Sequence, residues 1–185
     1  MWWSKHSLLR TALLGCTLAT ASVVAGCGFQ PMYARSNNGD GLKTALAAVD
    51  VAIIEDRSGQ MLRNALERRF EQGAGNRVQK RFRLVVELSE DKVASAFRKD
   101  ATNTRETLTL RAISTLEMGG KTIWRRPDSV VTAYNITPDH FSVEMAARDA
   151  RERGIEQLAN QITDSVAIFL KQNPNPTPLT TGTRP

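Results

Sequence analysis

The sequence predicts an α+β fold in which two helices pack on one face of a four-stranded, mainly antiparallel sheet, in the order β-α-β-β-β-α. The first supporting observation is that apolar residues alternate along two long segments on either side of Gly119-Gly120. The second is that two other segments repeat apolar residues at the three- and four-residue spacing of helices. Finally, 185 residues with 41% hydrophobic and 24% charged side chains suit one globular domain and exclude a large multidomain enzyme.

Residues 1–26 are predicted to be a cleaved lipoprotein signal peptide. A basic start is followed by the uncharged segment 11–26, which is shorter and more polar than the roughly 20 apolar residues of a membrane-spanning helix. Val24-Ala25-Gly26-Cys27 resembles the bacterial lipobox, in which the cysteine thiol receives a diacylglyceryl group and the chain is cut just before it. We therefore expect Cys27 to carry an S-diacylglycerol and an N-acyl group.

The expected lipidation indicates where the protein resides. Two or three acyl chains hold a protein on a bilayer effectively permanently, because each buried methylene contributes about 0.8 kcal/mol. Gly28 follows the cysteine, whereas an Asp there favours retention of bacterial lipoproteins at the inner membrane. We expect a protein anchored by lipid to the periplasmic side of the cell outer membrane. With Cys16 removed and Cys27 acylated, no disulfide is expected.

Two segments outside the domain are too polar to fold alone. Residues 27–41 contain Pro, Asn, Gly and Asp and are predicted to form a lipidated tether. Residues 172–185 hold four of the seven prolines, together with Thr and Asn, and are predicted to form a flexible tail. The α+β domain is thus assigned to residues 42–171.

The predicted domain begins with a strand and a helix. The β-branched run at residues 49–54 predicts the first strand, and Ser58 follows as the predicted N-cap of a helix. Apolar spacings of one, three and four support this helix, and Gly73 with Gly75 mark its predicted end. The apolar positions are Met61, Leu62, Ala65, Leu66 and Phe70.

Three further strands are predicted to be antiparallel. Alternating apolar residues predict strands at residues 82–89 and 105–118. Gly119-Gly120 predicts the turn into a fourth strand, because both glycines adopt positive φ without steric cost. Pro127 has no amide hydrogen, so we expect a bulge or a sheet edge there and an interruption of the fourth strand near residues 126–128.

A long helix completes the predicted domain. Thr137 is the predicted N-cap, Pro138 the first helical residue, and Asp139 is favoured by the helix dipole. The helix is predicted to reach Lys171 and to bend at Gly154. Its apolar stripe is Phe141, Met145, Ile155, Leu158, Ile162, Val166 and Phe169.

No catalytic or metal-binding residues are predicted. His140 is the one histidine left after processing, and we interpret it as a surface residue beside Asp139. The glycine pairs match neither a phosphate loop nor a dinucleotide fingerprint and are interpreted as turns. The carboxylate pairs at residues 55–56 and 90–91 are interpreted as solvated residues at strand ends. We expect a protein that is not an enzyme and has no cofactor besides its covalent lipid.

Basic residues are the more informative feature. A solvated surface is the ordinary explanation for each cluster, and nucleic acid is not expected as a partner outside the cytoplasm. Phosphates of an anionic glycolipid are matched by Arg and Lys at loop tips. The candidates at or near predicted turns are Arg98, Lys99, Lys121, Arg125 and Arg126.

The chain resembles a known family, the lipopolysaccharide-assembly lipoproteins LptE as found in alphaproteobacteria. The resemblance covers most of the processed chain and lies in two regions. The first region begins at the lipobox cysteine and reads Cys27-Gly28-Phe29-Gln30-Pro31-Met32-Tyr33. The second lies in the C-terminal half and consists of Ala133-Tyr134-Asn135-Ile136-Thr137 with Ala146, Ala150, Leu158-Ala159 and Ile162.

The resemblance implies a non-enzymatic outer-membrane subunit of the lipopolysaccharide translocon. Such a subunit assembles with the β-barrel protein LptD, plugs its lumen, and binds lipopolysaccharide during insertion into the outer leaflet. In this family, basic residues near strand loops are proposed to contact lipopolysaccharide, so the resemblance implies this role for the five basic candidates as residues of the same class. The outer-membrane lipid is a further expected partner through the acyl anchor.

Two other functions stay open at the level of sequence. An auxiliary or substrate-binding lipoprotein of a phospholipid transport system would need an apolar groove, which a sequence does not reveal. A structural lipoprotein that binds cell wall is less favoured, because Trp124, Tyr33 and Tyr134 are the only Trp and Tyr residues left after processing.

Overall fold

The structure is a computed structural model that describes residues 39–71, 78–97 and 103–179. The described part contains three helices and a four-stranded sheet, and the predicted α+β fold is confirmed. In chain order the elements are α1 Gly39–Ala47, β1 Val49–Val51, α2 Asp56–Glu71, β2 Phe82–Phe97, β3 Asn103–Met118, β4 Lys121–Asn135 and α3 His140–Gln172.

The strands lie in the order β1-β2-β3-β4. The short β1 pairs in parallel with the start of β2, and the three long strands pair antiparallel. Gly119 and Gly120 form the predicted turn between β3 and β4, with φ of 57° and 76°. Glycine adopts such positive φ angles at little cost because it has no Cβ.

Strand β4 is continuous, and the predicted interruption near residues 126–128 is wrong. Pro127 pairs with Ile113 and lies in the edge strand, where its missing amide hydrogen leaves no ladder bond unmade. The register shift lies instead beside Leu116, between its pair with Trp124 and the pair of Glu117 with Thr122.

The core lies between the helices and one face of the sheet. Along β3, Leu108, Leu110 and Leu116 are fully buried, whereas Thr109 and Arg111 face away from the helices. This division follows from the two-residue period of a strand. All helices in the described part of the chain cover the same face, as predicted for two of them.

Helix α3 is a continuous helix of 33 residues, as long as predicted, so it extends about 50 Å. Gly154 does not interrupt it. A Cβ at Gly154 would lie 2.8 Å from Leu110 Cδ1 and 3.4 Å from Thr132 Cγ2. The glycine therefore lets α3 approach the sheet closely.

Both predicted N-caps are wrong. Helix α3 begins at His140, and its N-cap is Asp139, whose carboxylate accepts hydrogen bonds from the amides of Phe141 at 3.3 Å and Ser142 at 3.1 Å. The hydrogen bond from the Ser142 hydroxyl, together with these amide bonds, lowers the pKa of Asp139. Helix α2 begins at Asp56, with φ of 66°, so Ser58 lies in its first turn. The Ser58 hydroxyl donates instead to Glu90.

The predicted apolar stripe of α3 is correct only in its later part. Ile155, Leu158 and Ile162 are buried, but Phe141 is 72% exposed and Met145 is 40% exposed. The first turns of α3 instead use smaller residues to pack near Tyr134, among them Ala147 and Ala150.

Helix α1 was not predicted. Its first three residues belong to the segment expected to be tether, and its glycines disfavour a helix in isolation. Leu42, Leu46 and Ala47 are buried in the core. Packing against the other elements therefore stabilises a short helix that the local sequence does not favour.

Residues 173–179 of the predicted tail contact the domain. Pro176 is buried, and the Leu179 amide donates to the Thr122 carbonyl at 2.8 Å. This bond lies at the edge strand β4, near the turn at Gly119. The described part of the tail thus covers one end of this sheet edge.

Candidate functional site

Three of the six residues predicted for sites lie outside the described residues. These are the lipidation candidate Cys27 and the basic candidates Arg98 and Lys99. The other three, Lys121, Arg125 and Arg126, are exposed on β4. Lys121 directly follows the turn, whereas Arg125 and Arg126 lie within the strand.

Arg125 and Arg126 face opposite sides of the sheet, because adjacent strand residues alternate. Arg125 pairs with Thr115 on the face away from the helices, and Arg126 pairs with the buried Ser114. Arg126 already forms an ion pair, with 3.2 Å between its Nε and Asp128 Oδ1. Arg125 and Lys121 form no ion pair with a residue in the described ranges, so they are better placed to bind an external anion.

Of the basic candidates, Arg98 and Lys99 lie between the described residues Phe97 and Asn103 in sequence and are outside the described ranges. Lys121 lies at the other end of β3, opposite Met118. The 16 residues of β3 span about 50 Å.

The sheet face that points away from the helices is called here the open face. It consists of alternate residues of β2, β3 and β4, from Val85 to Val93, from Arg105 to Thr115 and from Arg125 to Ala133. No helix in the described ranges covers it. A groove of about 560 Å³ lies across the three strands, lined by Glu87, Leu88, Ser89, Arg111, Ala112, Ile113, Pro127, Asp128 and Ser129.

A polar cluster on the helix side joins three elements and was not predicted. Arg151 of α3 donates to both carboxylate oxygens of Glu90 on β2, at 3.0 to 3.2 Å. Ser58 of α2 donates to the same carboxylate at 3.0 Å. Glu90 and Arg151 are each 22% exposed, so this ion pair is partly buried.

The charges in this cluster stabilise each other. Burial raises the pKa of Glu90, but the hydrogen bonds from Arg151 and Ser58 outweigh it, and the net pKa is lowered. The hydrogen bond to Glu90 raises the pKa of Arg151. Both side chains are therefore charged at neutral pH.

A second polar contact lies on the same side of the sheet. The Tyr134 hydroxyl donates to Glu106 on the neighbouring strand. Burial, together with the hydrogen bond to Glu106, raises the pKa of Tyr134 to about 12. The tyrosine is therefore a neutral hydrogen-bond donor at any physiological pH.

The prediction that Glu90 lies at a strand end is wrong, because it lies in the middle of β2. A signal for the cluster was present in the sequence. Glu90 continues the alternate set of Leu84, Val86 and Leu88, which faces the helices. A charged residue on the buried side of a strand requires a partner.

The chemistry of these contacts is structural. The Glu90 carboxylate is occupied by Arg151 and Ser58, an arrangement that joins α2, β2 and α3. In the part of the chain that the structure describes, no group of three or more His, Cys, Asp or Glu residues is placed to hold a metal ion. Among the helices described, none is long and apolar enough to cross a bilayer.

One family model and several solved structures match the chain. The model of the LptE family, described as lipopolysaccharide-assembly, matches residues 46–167. A candidate lipoprotein from Caulobacter crescentus CB15 has a similar structure, with a TM-score of 0.58 and 21% identity over 70% of this chain and 96% of that chain. Rare lipoprotein B from Shewanella oneidensis gives a TM-score of 0.52 and 13% identity over 69% and 98% of the respective chains. No curated protein sequence matches the chain. At these identities, the structural likeness establishes the fold.

Proposed function

The chain belongs to the LptE family of lipopolysaccharide-assembly proteins, and on this premise we propose that it is a lipid-anchored subunit of the outer-membrane lipopolysaccharide translocon. In this role it plugs the barrel of an LptD-type protein and binds lipopolysaccharide. The family match carries the proposal, because residues 46–167 extend from the end of α1 into the last turns of α3.

The role in the barrel is supported by the surface of the domain. Large outer-membrane barrels have a polar interior, and a plug must present side chains that such a wall accepts. The outward residues of the long strands are mostly Thr, Ser and charged residues. We propose a role in assembly and binding without catalysis, which agrees with the non-enzymatic character of the family.

Purification of the intact lipoprotein tests the partner. A tag at the C-terminus, extraction in mild detergent and mass spectrometry should recover an LptD-type barrel in equal amount. Recovery of the lipoprotein alone would contradict the proposal. Recovery with an inner-membrane transporter would favour the auxiliary role in phospholipid transport.

Anchoring through Cys27 is tested by fractionation. We expect Cys27→Ala to release the protein into the soluble periplasmic fraction, because no acyl chain would then hold it on the bilayer. The experiment requires a strain that lacks the barrel, since the barrel would itself retain the protein. A Cys27→Ala chain that still fractionates with membranes in that strain would contradict lipid anchoring.

Lipopolysaccharide binding is proposed for the exposed basic residues. Phosphates are bound well by Lys and Arg side chains that have no competing carboxylate. Among the described candidates, Lys121 and Arg125 meet this condition, whereas Arg126 is paired with Asp128. The pair Arg98 and Lys99 lies outside the described residues and is a separate proposal.

Charge-reversal variants test these two pairs of basic residues separately. We expect Lys121→Glu with Arg125→Glu to lower the affinity for purified lipopolysaccharide about tenfold or more, since each charged hydrogen bond contributes roughly 1.5–3 kcal/mol. Arg98→Glu with Lys99→Glu tests the other group in the same assay. The matched control is Arg148→Glu, an exposed arginine on α3. Equal affinity for all variants would mean that these residues only solvate the surface.

A further inference from the structure

We propose that one water molecule is bound between Ser114 and Asp128, in a polar site that β3 and β4 form beneath α3. The site is distinct from the Glu90 cluster, and the inference does not depend on the proposed function. It follows from two buried oxygen atoms, from the strand register that brings them together, and from the small side chains beside them.

The two oxygen atoms are buried without a protein partner. Ser114 is 0% exposed, and the side chain of Asp128 is 5% exposed. One carboxylate oxygen of Asp128, Oδ1, lies 3.2 Å from Arg126 Nε. The other, Oδ2, and Ser114 Oγ form no hydrogen bond with any residue in the described ranges. Buried oxygens of this kind are normally hydrogen-bonded to protein or to ordered water, because removing them from water without replacement is unfavourable.

The strand register brings these two side chains together. Ser114 pairs with Arg126, and Asp128 pairs with Ala112. Ser114 and Asp128 are therefore diagonal neighbours on the side of the sheet that faces the helices. Such neighbours are roughly 7–8 Å apart, with a shorter separation between their side chains. Two consecutive hydrogen bonds through a water oxygen span roughly 5.5 Å, which matches the remaining gap.

Small side chains leave space beside the two oxygens. On the helix side of β3, Leu110 and Leu116 are fully buried, and the two positions between them on this side are Ala112 and Ser114. A leucine at either position would fill the volume next to Asp128. A buried water needs only roughly 10–15 Å³ of space and two to four polar partners.

Helix α3 covers the site. Gly154 of this helix lies beside Thr132, and the ring of Phe169 lies 6.1 Å from that of Trp124. Asp128 is midway between Thr132 and Trp124 on β4. Because α3 is continuous, its segment between these two contacts passes over Asp128 and separates the site from bulk solvent.

The charges of the site favour water over a cation. The Asp128 carboxylate is already paired with Arg126, so the negative charge that would attract a metal ion is offset. A water molecule donates one hydrogen bond to Asp128 Oδ2 and accepts one from the Ser114 hydroxyl. These bonds fix the carboxylate, and the carboxylate in turn holds the guanidinium of Arg126 on the edge strand.

A high-resolution crystal structure of the full chain tests the site directly. We expect a water oxygen within about 3.2 Å of both Ser114 Oγ and Asp128 Oδ2. A direct hydrogen bond between the two side chains would overturn the proposal. A metal ion at this position, or apolar side chains that fill it, would overturn it as well.

Two substitutions give a second readout, measured by urea unfolding of the full chain. Ser114→Ala removes one partner of the water, and we expect the equilibrium constant for unfolding to rise about tenfold. The matched control is Thr132→Val. Thr132 Oγ1 is also buried without a partner in the described ranges, but Thr132 pairs with Leu108, and neither of the other two unpartnered oxygens is its cross-strand or diagonal neighbour.

Removing the Thr132 hydroxyl should therefore leave the equilibrium constant for unfolding unchanged or lower it, because no bound water loses a partner. The two variants thus differ in the sign of their effect. A Ser114→Ala chain that is as stable as the unsubstituted chain, or more stable, would mean that the Ser114 hydroxyl is buried dry and would overturn the inference.

Discussion

Replacing Glu90 by Gln is expected to lower the free energy of unfolding by about 2 kcal/mol, although Gln has nearly the same shape. The carboxylate accepts hydrogen bonds from Arg151 and Ser58, and the ion pair is 22% exposed on each side. Exposed pairs contribute about 0–1 kcal/mol, and hydrogen bonds to charged groups contribute about 1.5–3 kcal/mol. A partly buried, two-pronged pair that also accepts a hydrogen bond from Ser58 falls in the second range, and Gln leaves the guanidinium without its counter-charge.

The pH dependence of this loss has a definite sign. The pKa of Glu90 is lower in the folded protein than its ordinary value of 4.5. A carboxylate of this kind stabilises the fold above its unfolded pKa, and the contribution is lost as the pH falls through the folded pKa. The difference in stability between the original chain and Glu90→Gln should therefore be constant near neutral pH and shrink below about pH 4.5.

Urea unfolding, followed by circular dichroism at several pH values, measures both the loss of stability in Glu90→Gln and its pH dependence. The matched control is Glu87→Gln on the same strand, which faces outward and is exposed; its effect should stay within about 0.5 kcal/mol. A double-mutant cycle with Arg151→Gln should give a coupling of about 1 kcal/mol or more. Equal stability of the two glutamate variants, or a gap that does not close in acid, would refute the role assigned to the pair.

Three other predictions concern local contacts. Tyr134→Phe should lower the free energy of unfolding by about 1 kcal/mol, because the hydrogen bond to Glu106 is lost. Ultraviolet titration of the unsubstituted chain should detect a tyrosine with a pKa of about 12, which this variant lacks. Gly119→Val should lower the free energy of unfolding by about 1–3 kcal/mol, because the φ of Gly119 is 57°. Gly119→Asn should lower it less, and equal urea midpoints for the two variants would contradict this prediction. A chain that ends at residue 172 should be about 1 kcal/mol less stable, because it lacks the hydrogen bond from the Leu179 amide to the Thr122 carbonyl. An unchanged melting temperature would mean that the tail does not contribute to stability.

Alternation and turn chemistry made the sheet predictable. Leu108, Leu110 and Leu116 share one side of β3 and are buried, and the glycine pair forms the expected turn. Both signals are local, because a strand repeats every two residues and a turn needs only its own dihedral angles. The end of β1 and the start of α2 were less predictable, since β1 is only three residues long.

Two of the misassigned residues depend on contacts distant in the chain. Ser58 has the residue type of an N-cap, but its hydroxyl bonds to Glu90, 32 residues away. Phe141 fits the helical period of α3, yet the sheet does not cover its side of the helix. Of the candidate site, the sequence identified the basic residues of β4, but not that Arg126 is paired and faces the side opposite to Arg125.

The sequence by itself determined the fold class, the strand order along the chain, the long last helix and the family. These properties depend on residue patterns that act over a few positions. The tertiary structure decided that α1 forms, that Glu90, Arg151 and Ser58 meet, and that one sheet face carries no helix in the described ranges. Each of these depends on which surfaces come together when the chain folds. Burial and ion pairing are gained only between residues that folding brings into contact, so local patterns do not specify them.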